Sequence, residues 1–195
     1  PANIATNVSR LGYKSALIAK TGIGAFGQFL KGAVQRNGVN TDYLVMDHHF
    51  NTSIIFVSRT SGTPDFEPFR SADFNLTDED ISEEAIAAAR IVHTSTWPLS
   101  REPSRSAVIN ALKQARAQGK IVSFDPNYSP VVWPNYQEAR EVMREVFQYT
   151  TITKASLDDA HRYVGQGHTP EEYIKLLHEL GPKTVVFTMG RQGSM

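Results

Sequence analysis

Ile91-Val92-His93 and Ile121-Val122-Ser123-Phe124 are two short apolar runs, and between them residues 102–118 repeat apolar side chains at helical spacing up to Gly119. Strand, helix and strand in that order make a unit with parallel strands and a right-handed crossover. The second run leads straight into Asp125-Pro126-Asn127-Tyr128. Ligands of open parallel sheets bind beyond the carboxyl ends of the strands. This stretch therefore sets both a fold class and a place to look for chemistry.

The alternation continues on either side. Downstream, the pattern predicts helices at 136–148, 156–164 and 170–180, with strands at Thr151–Thr153 and Thr184–Thr188. Upstream it predicts a helix at 3–11 closed by Gly12, a strand at 16–19, and a helix at 25–37 ending in Asn37-Gly38. A further helix runs from Leu76 to Ala89, with Thr77 as its N-cap and Asp80 three residues on. Residues 41–75 have another texture, with strand-like runs at Tyr43–Met46, Ser53–Ser58 and Asp65–Arg70. Ser61-Gly62-Thr63-Pro64 supplies a turn between the last two. The expectation is an α/β fold whose mainly parallel sheet is covered on both faces, formed by 1–40 and 76–195. Residues 41–75 are expected to form a small β-rich sheet or flap. No internal repeat or low-complexity segment is visible.

Lys plus Arg and Asp plus Glu each number 20 among 195 residues, so the formal charge is zero. That balance argues against a chain built to grip nucleic acid or an anionic membrane. Hydrophobic residues at 41% are enough for a core. With no cysteine, disulfide scaffolds, thiolate zinc sites, iron–sulfur clusters and cysteine nucleophiles are excluded. A reducing cytoplasm fits this composition. No apolar run approaches the ~20 residues of a membrane helix, and Pro1–Asn7 has none of the features of a signal peptide. The chain starts inside a helical pattern without an initiator Met and stops just after a strand pattern, so a piece of a longer protein is expected.

Gly22-Ile23-Gly24-Ala25-Phe26-Gly27 has the letters of a dinucleotide fingerprint, with Asp42 and Asp47 near the offset of a ribose-binding acid. The strand that should follow its helix instead leads into the flap, so a tight turn opening a helix is the plainer reading. Asp125-Pro126-Asn127 holds a carboxylate and a carboxamide beside a rigid proline, which suits a hydroxyl-rich ligand and equally an Asx turn. Thr188-Met189-Gly190-Arg191-Gln192-Gly193 exposes backbone N–H groups that could cradle phosphate, or makes a plain turn. His48-His49 diverge in an extended segment and make a poor metal pair. The other histidines show no ligand spacing, and neither a Ser/His/Asp order nor a G-x-S-x-G is present.

In order, these pieces resemble the ribokinase-like, phosphofructokinase-B type carbohydrate kinases, nearest to fructokinases and 2-keto-3-deoxygluconate kinases. Asn3, Gly12 and Gly22 keep the spacing of that family's first signature. Lys20–Gly27 resembles its Gly-x-Asp-x-Phe-Gly turn, with Gly24 in place of the acid. Phe69-Arg70-Ser71-Ala72-Asp73 resembles the stretch where the family's lid meets sugar. Asp125-Pro126-Asn127-Tyr128 with Trp133 resembles Asp-x-Asn-x-Arg…Trp, with Ser129 replacing the Arg. Lys154-Ala155-Ser156-Leu157-Asp158-Asp159 resembles Lys-x-Asn-x-x-Glu, and Thr188-x-Gly190-x-x-Gly193 the nucleotide loop.

The resemblance implies a three-layer ribokinase-like fold and transfer of the ATP γ-phosphoryl group to a sugar hydroxyl, ketoses and keto-acids being favoured. It assigns Asn3, Arg70, Asp125 and Asn127 to the sugar. Lys154, Ser156, Asp159, Thr188, Gly190 and Gly193 go to the nucleotide and its magnesium, with Asp159 an indirect metal contact. The catalytic Asp of the family's Gly-Ala-Gly-Asp motif is expected beyond Met195, which would leave these 195 residues inactive alone. Exposed strand edges of the lid imply a homodimer. The alternatives are a non-catalytic sugar-binding relative and, on Gly22–Gly27 alone, a dinucleotide-dependent oxidoreductase.

Overall fold

A computed structural model of the chain describes residues 1–58 and 65–195. The turn expected at Ser61–Pro64 lies outside them. The chain forms two compact units, Pro1–Ala85 with Arg101–Ala107, and Ile86–Ser100 with Val108–Met195.

The first unit opens with α1 (Ala2–Arg10), β1 (Ala19–Gly22), α2 (Ala25–Arg36) and β2 (Leu44–Asp47). β1 and β2 pair in parallel, Ala19 opposite Leu44 and Gly22 opposite Asp47. Leu17, Val39 and Leu44 form a buried cluster with Val34 and Met46 packed against it. β1 starts later than the apolar run suggested, because Ala16 makes only an isolated bridge to Asn40 and Leu17 is spent on the core. Two glycines of the 22–27 turn are dictated by contact. A Cβ at Gly22 would lie 2.6 Å from the Phe50 carbonyl oxygen, and one at Gly27 would lie 1.7 Å from that of Gly22. At Gly24 a Cβ would meet nothing within 4 Å.

The stretch expected to be one small sheet divides. β2 carries Leu44 into the core beside β1, and β3 (Ile54–Ser58) and β4 (Asp65–Phe69) pair antiparallel by themselves, Ile54 opposite Phe69. Ile55, Phe56, Val57 and Phe69 of this hairpin are exposed, with Phe56 and Phe69 edge to face at 5.5 Å. The helix expected at 76–89 is broken. Asp80 accepts the N–H of Thr77 at 2.7 Å and closes a capping box around a single 3₁₀ turn, Asp78–Asp80. Ile81 is extended, Ser82 accepts the Ala85 N–H, and α3 (Glu83–Ala88) starts afresh.

The second unit is built on β5 (Ile91–Ser95), β6 (Ile121–Asp125), β7 (Ile152–Ser156) and β8 (Thr184–Thr188). They lie side by side in that order, all parallel. The connections are α4 (Thr96–Leu99) and α5 (Ser104–Ala117), then α6 (Tyr136–Tyr149), then α7 (Leu157–Tyr163) and α8 (Pro170–Glu179). Strands laid down in sequence order by right-handed crossovers put their crossover helices on one face. Burial alternates accordingly. Val122, Phe124, Thr153, Ala155 and Phe187 are buried, whereas Ile91 and Val186 on the alternate rows are exposed. The strand order of this four-stranded sheet does not reverse. Phe124 meets Phe147 of α6 edge to face at 5.2 Å, and Tyr173 of α8 stacks on Phe187 at 5.9 Å. Each such pair contributes ~1 kcal/mol beyond its area burial.

Three helices begin as their sequences direct. Asn135 accepts the Glu138 N–H, Thr169 accepts that of Glu172 ahead of Pro170, and Ser156 accepts that of Asp159.

Candidate functional site

β6 ends at Asp125, and Pro126 cannot donate to a further ladder bond, so the chain leaves the sheet there. Pro126 and Tyr128 are buried and Asn127 between them is exposed. The turn thus pins its two flanking residues and presents the Asn127 carboxamide. The nearby Asn127 backbone N–H favours the charged form of the Asp125 carboxylate. Among the described residues, Oδ1 of Asp125 is a buried acceptor with no hydrogen-bond donor.

Side chains alternate along a strand, and the register places Asp125, Lys154, Ser156 and Thr188 on one face near the carboxyl ends of β6, β7 and β8. Lys154 Nζ stands 3.8 Å from Asp125 Oδ1, an ion-pair distance too long for a hydrogen bond. Burial pushes the Asp125 carboxyl above its ordinary range, against the pull of the Lys154 ammonium. A carboxylate short of donors, beside a half-exposed ammonium and an exposed carboxamide, can take hydroxyl donors from a ligand.

Asp159 is otherwise engaged. Its Oδ2 accepts the Ser156 N–H at 2.9 Å and the Ser156 hydroxyl at 2.6 Å, which caps α7. The described residues contain no group of three carboxylates or histidines that could hold a metal. The residues present therefore do not make a magnesium site by themselves.

Thr188 to Gly193 is a hairpin turn. Gly190 and Gly193 both have positive φ, at 59° and 92°, and the chain returns antiparallel so that Phe187 and Met195 exchange both backbone hydrogen bonds. Space around both glycines is open.

Asn3 and Arg70 belong to the first unit. Asn3 is exposed on α1. Arg70 is engaged: its Nε and Nη2 both lie 2.7 Å from Oδ2 of Asp73, and its guanidinium sits over the Phe74 ring. Its side chain is only 2% exposed. Asp73 is also bonded to Ser53, which precedes β3 at the same open end of the hairpin.

Thr96 falls in the strand-end stretch His93–Trp97 where the sequence points to a ligand site, but the sequence assigns no role to it or to Arg162. Thr96 Oγ1 donates to the carbonyls of Pro126 and Asn127, and Arg162 donates to that of Tyr128. A third residue, Lys20, lies between Asp47 at 3.6 Å and Asp80 at 2.5 Å.

A one-way parallel sheet, an antiparallel hairpin, and polar groups gathered at the strand ends are the features of a ribokinase-like α/β fold. The chain belongs to the pfkB family of carbohydrate kinases, whose family model matches residues 1–195. It is 33% identical over 195 residues to an ATP-dependent 6-phosphofructokinase of Thermoanaerobacterium thermosaccharolyticum, covering all of this chain and 60% of that one. Fructokinase-2 of Solanum habrochaites is 31% identical, with 99% and 60% covered. Among solved structures, Halothermothrix orenii fructokinase superposes with a TM-score of 0.91 at 41% identity, over 100% of this chain and 69% of that one. A Vibrio cholerae fructokinase in a fructose-, ADP- and calcium-bound form superposes with a TM-score of 0.88 at 28% identity, over 100% and 63%. The chain spans about 60% of the length of these curated relatives.

Proposed function

We propose that these residues form part of an ATP-dependent sugar kinase that phosphorylates a hydroxyl of a ketose or keto-sugar acid, with fructose the first candidate. The observation that carries the reading is the Asp125–Asn127 turn: a buried acceptor lacking a donor, next to a carboxamide displayed at a strand end. Fructokinase relatives support the choice of sugar. In this reading Asp125 accepts one sugar hydroxyl and Asn127 bonds to a neighbouring one. That fixes the sugar so that the reacting oxygen faces the phosphorus in line, which is most of what phosphoryl transfer asks of a protein. The hydroxyl gives up its proton, the oxygen–phosphorus bond forms, and the bond to the ADP oxygen breaks. No Gly-Ala-Gly-Asp stands in the 195 residues, so the proton acceptor is not assigned to any of them.

Lys154 supports phosphate as a cation, and the turn at Thr188, Gly190 and Gly193 offers backbone N–H groups to the nucleotide. Magnesium enters with ATP. Asp159, bound to Ser156, orders that region and does not act as a ligand. Arg70 can meet a sugar carboxylate only by exchanging it for Asp73, while Asn3 offers an exposed carboxamide. The exposed apolar hairpin pairs with a second copy, and the use of ATP fits the cytoplasm. The described residues include no helix long and apolar enough to cross a membrane.

The test is a phosphorylation screen of the complete gene product, with ATP and magnesium, against fructose, fructose 6-phosphate, aldoses and sugar acids. Turnover on one sugar, abolished by Asn127→Ala, is expected. The 195-residue chain alone is expected to bind sugar and turn it over slowly or not at all. Saturable sugar binding by the complete product with no turnover on any substrate would favour the non-catalytic relative.

A further inference from the structure

The turn that carries Asp125 and Asn127 has no ladder partner, yet Pro126 and Tyr128 are buried. Buried carbonyls need donors. Here three successive carbonyls obtain them from side chains. The Thr96 hydroxyl is shared between the oxygens of Pro126 at 2.9 Å and Asn127 at 3.0 Å. Arg162 Nη1 donates to the oxygen of Tyr128 at 2.8 Å. Both donors are themselves located by the fold. Ser95 pairs in register with Asp125, which puts Thr96 alongside Pro126 at the start of α4. Arg162 is on α7, and its own carbonyl accepts the Tyr136 hydroxyl at 2.6 Å. Tyr136 in turn packs edge to face on the Tyr128 ring at 5.7 Å, closing a loop of contacts back to the turn. Among the described residues, nothing hydrogen-bonds the Asn127 carboxamide. The direction of its Cα–Cβ bond follows from its backbone, which these donors hold.

We propose that Thr96 and Arg162 are positioning residues that fix the aim of Asn127 and Asp125 at the sugar, a role that rests on the sugar-kinase reading of that turn. Neither touches substrate. Thr96 holds the turn from one side and Arg162 from the other.

The test uses the 195-residue chain, its Thr96→Val, Thr96→Ser and Arg162→Gln variants, and fructose titrations followed by residue-resolved NMR. Thr96→Val keeps the side chain's shape and deletes the donor. It is expected to weaken fructose binding about tenfold and to split or broaden the Asn127 side-chain amide signals before any sugar is added. Thr96→Ser restores both the affinity and the single narrow signal. Arg162→Gln, at an exposed side chain, is expected to weaken fructose about threefold. A merely structural role would lower the melting temperature and leave the affinity of the folded chain unchanged. Unmoved Asn127 signals in Thr96→Val, or Val and Ser variants that bind alike, would overturn the proposal. If the parent chain ignores fructose while the Asn127 signals still answer to Thr96, the clamp stands and the sugar reading falls.

Discussion

Lys20 and Lys154 are both ammonium groups set beside carboxylates on strands of parallel sheets, and they end differently. Lys20 is 8% exposed and lies between Asp47 and Asp80. Asp47 also accepts the N–H groups of His49 and Phe50, and Asp80 that of Thr77. Every charge in that cluster is answered. Lys154 is 46% exposed and stands off Asp125, whose Oδ1 has no donor. Satisfied buried groups hold a fold together, and a buried acceptor left open costs stability that only a ligand returns. The same contrast separates Arg70–Asp73 from Asn127: the first is closed on itself and the second is displayed.

The largest effect should come from breaking the closed cluster. Lys20→Met leaves two half-buried carboxylates beside a methyl group, with no cation to answer them. Hydrogen exchange of β1 and β2 amides should accelerate, with β5–β8 unaffected. Equal protection in the variant would mean that Lys20 ties nothing together.

Next in size is His93, whose ring accepts or donates one hydrogen bond to Ser123 and whose burial pushes its pKa down to about 4. The unfolded chain takes its proton near 6.5 and the folded chain only near 4. Stability contributed by the neutral ring is therefore lost as the pH falls through that interval. Urea midpoints measured from pH 7 to 4 should decline less steeply in His93→Gln than in the parent. Parallel curves would assign the acid loss elsewhere.

Asp125→Asn should act in the opposite direction to Lys20→Met. Burial raises the Asp125 carboxyl, so its ionised form opposes folding above its folded pKa and the penalty vanishes below its ordinary value of 3.8. The variant should be at least as stable as the parent at pH 7, with the difference gone in acid, and should bind fructose at least about tenfold more weakly. A variant both less stable and unchanged in affinity would make Asp125 a structural residue like Asp80.

The smallest change is expected at Gly24, which caps α2 with extended backbone and has open space at its Cβ position. Gly24→Asp should gain a few tenths of a kcal/mol from a side-chain cap, read as a slightly higher melting temperature. A loss of more than about 1 kcal/mol would show that the turn does not tolerate an acid there.

Much of the architecture was legible because it is local. Thr184–Thr188 is a strand over the residues expected, since a five-residue apolar run between turn signals has little choice. The helices expected at 136–148 and 170–180 lie within a residue of those bounds, and the structure shows Asn135 and Thr169 capping them. The Thr77–Asp80 capping box expected from the sequence forms, but it opens only a single 3₁₀ turn; the chain is extended at Ile81 and α3 starts again after Ser82. Ser156-x-x-Asp159 has the spacing of a capping box and could have been read as one. Asp125 and Asn127 were legible as an acid and amide after an apolar run. Thr96 and Arg162 were not, because they act across separations of 30 to 34 residues and sequence spacing cannot show which carbonyls they face.

A residue-resolved fructose titration of the 195-residue chain tests the central claim most directly. Saturable shifts concentrated at Asp125, Asn127, Tyr128 and Lys154 are expected, with their loss in Asn127→Ala. Saturable binding that leaves those residues silent and moves only Gly22–Gly27, or no binding in the folded chain at millimolar fructose, would contradict it.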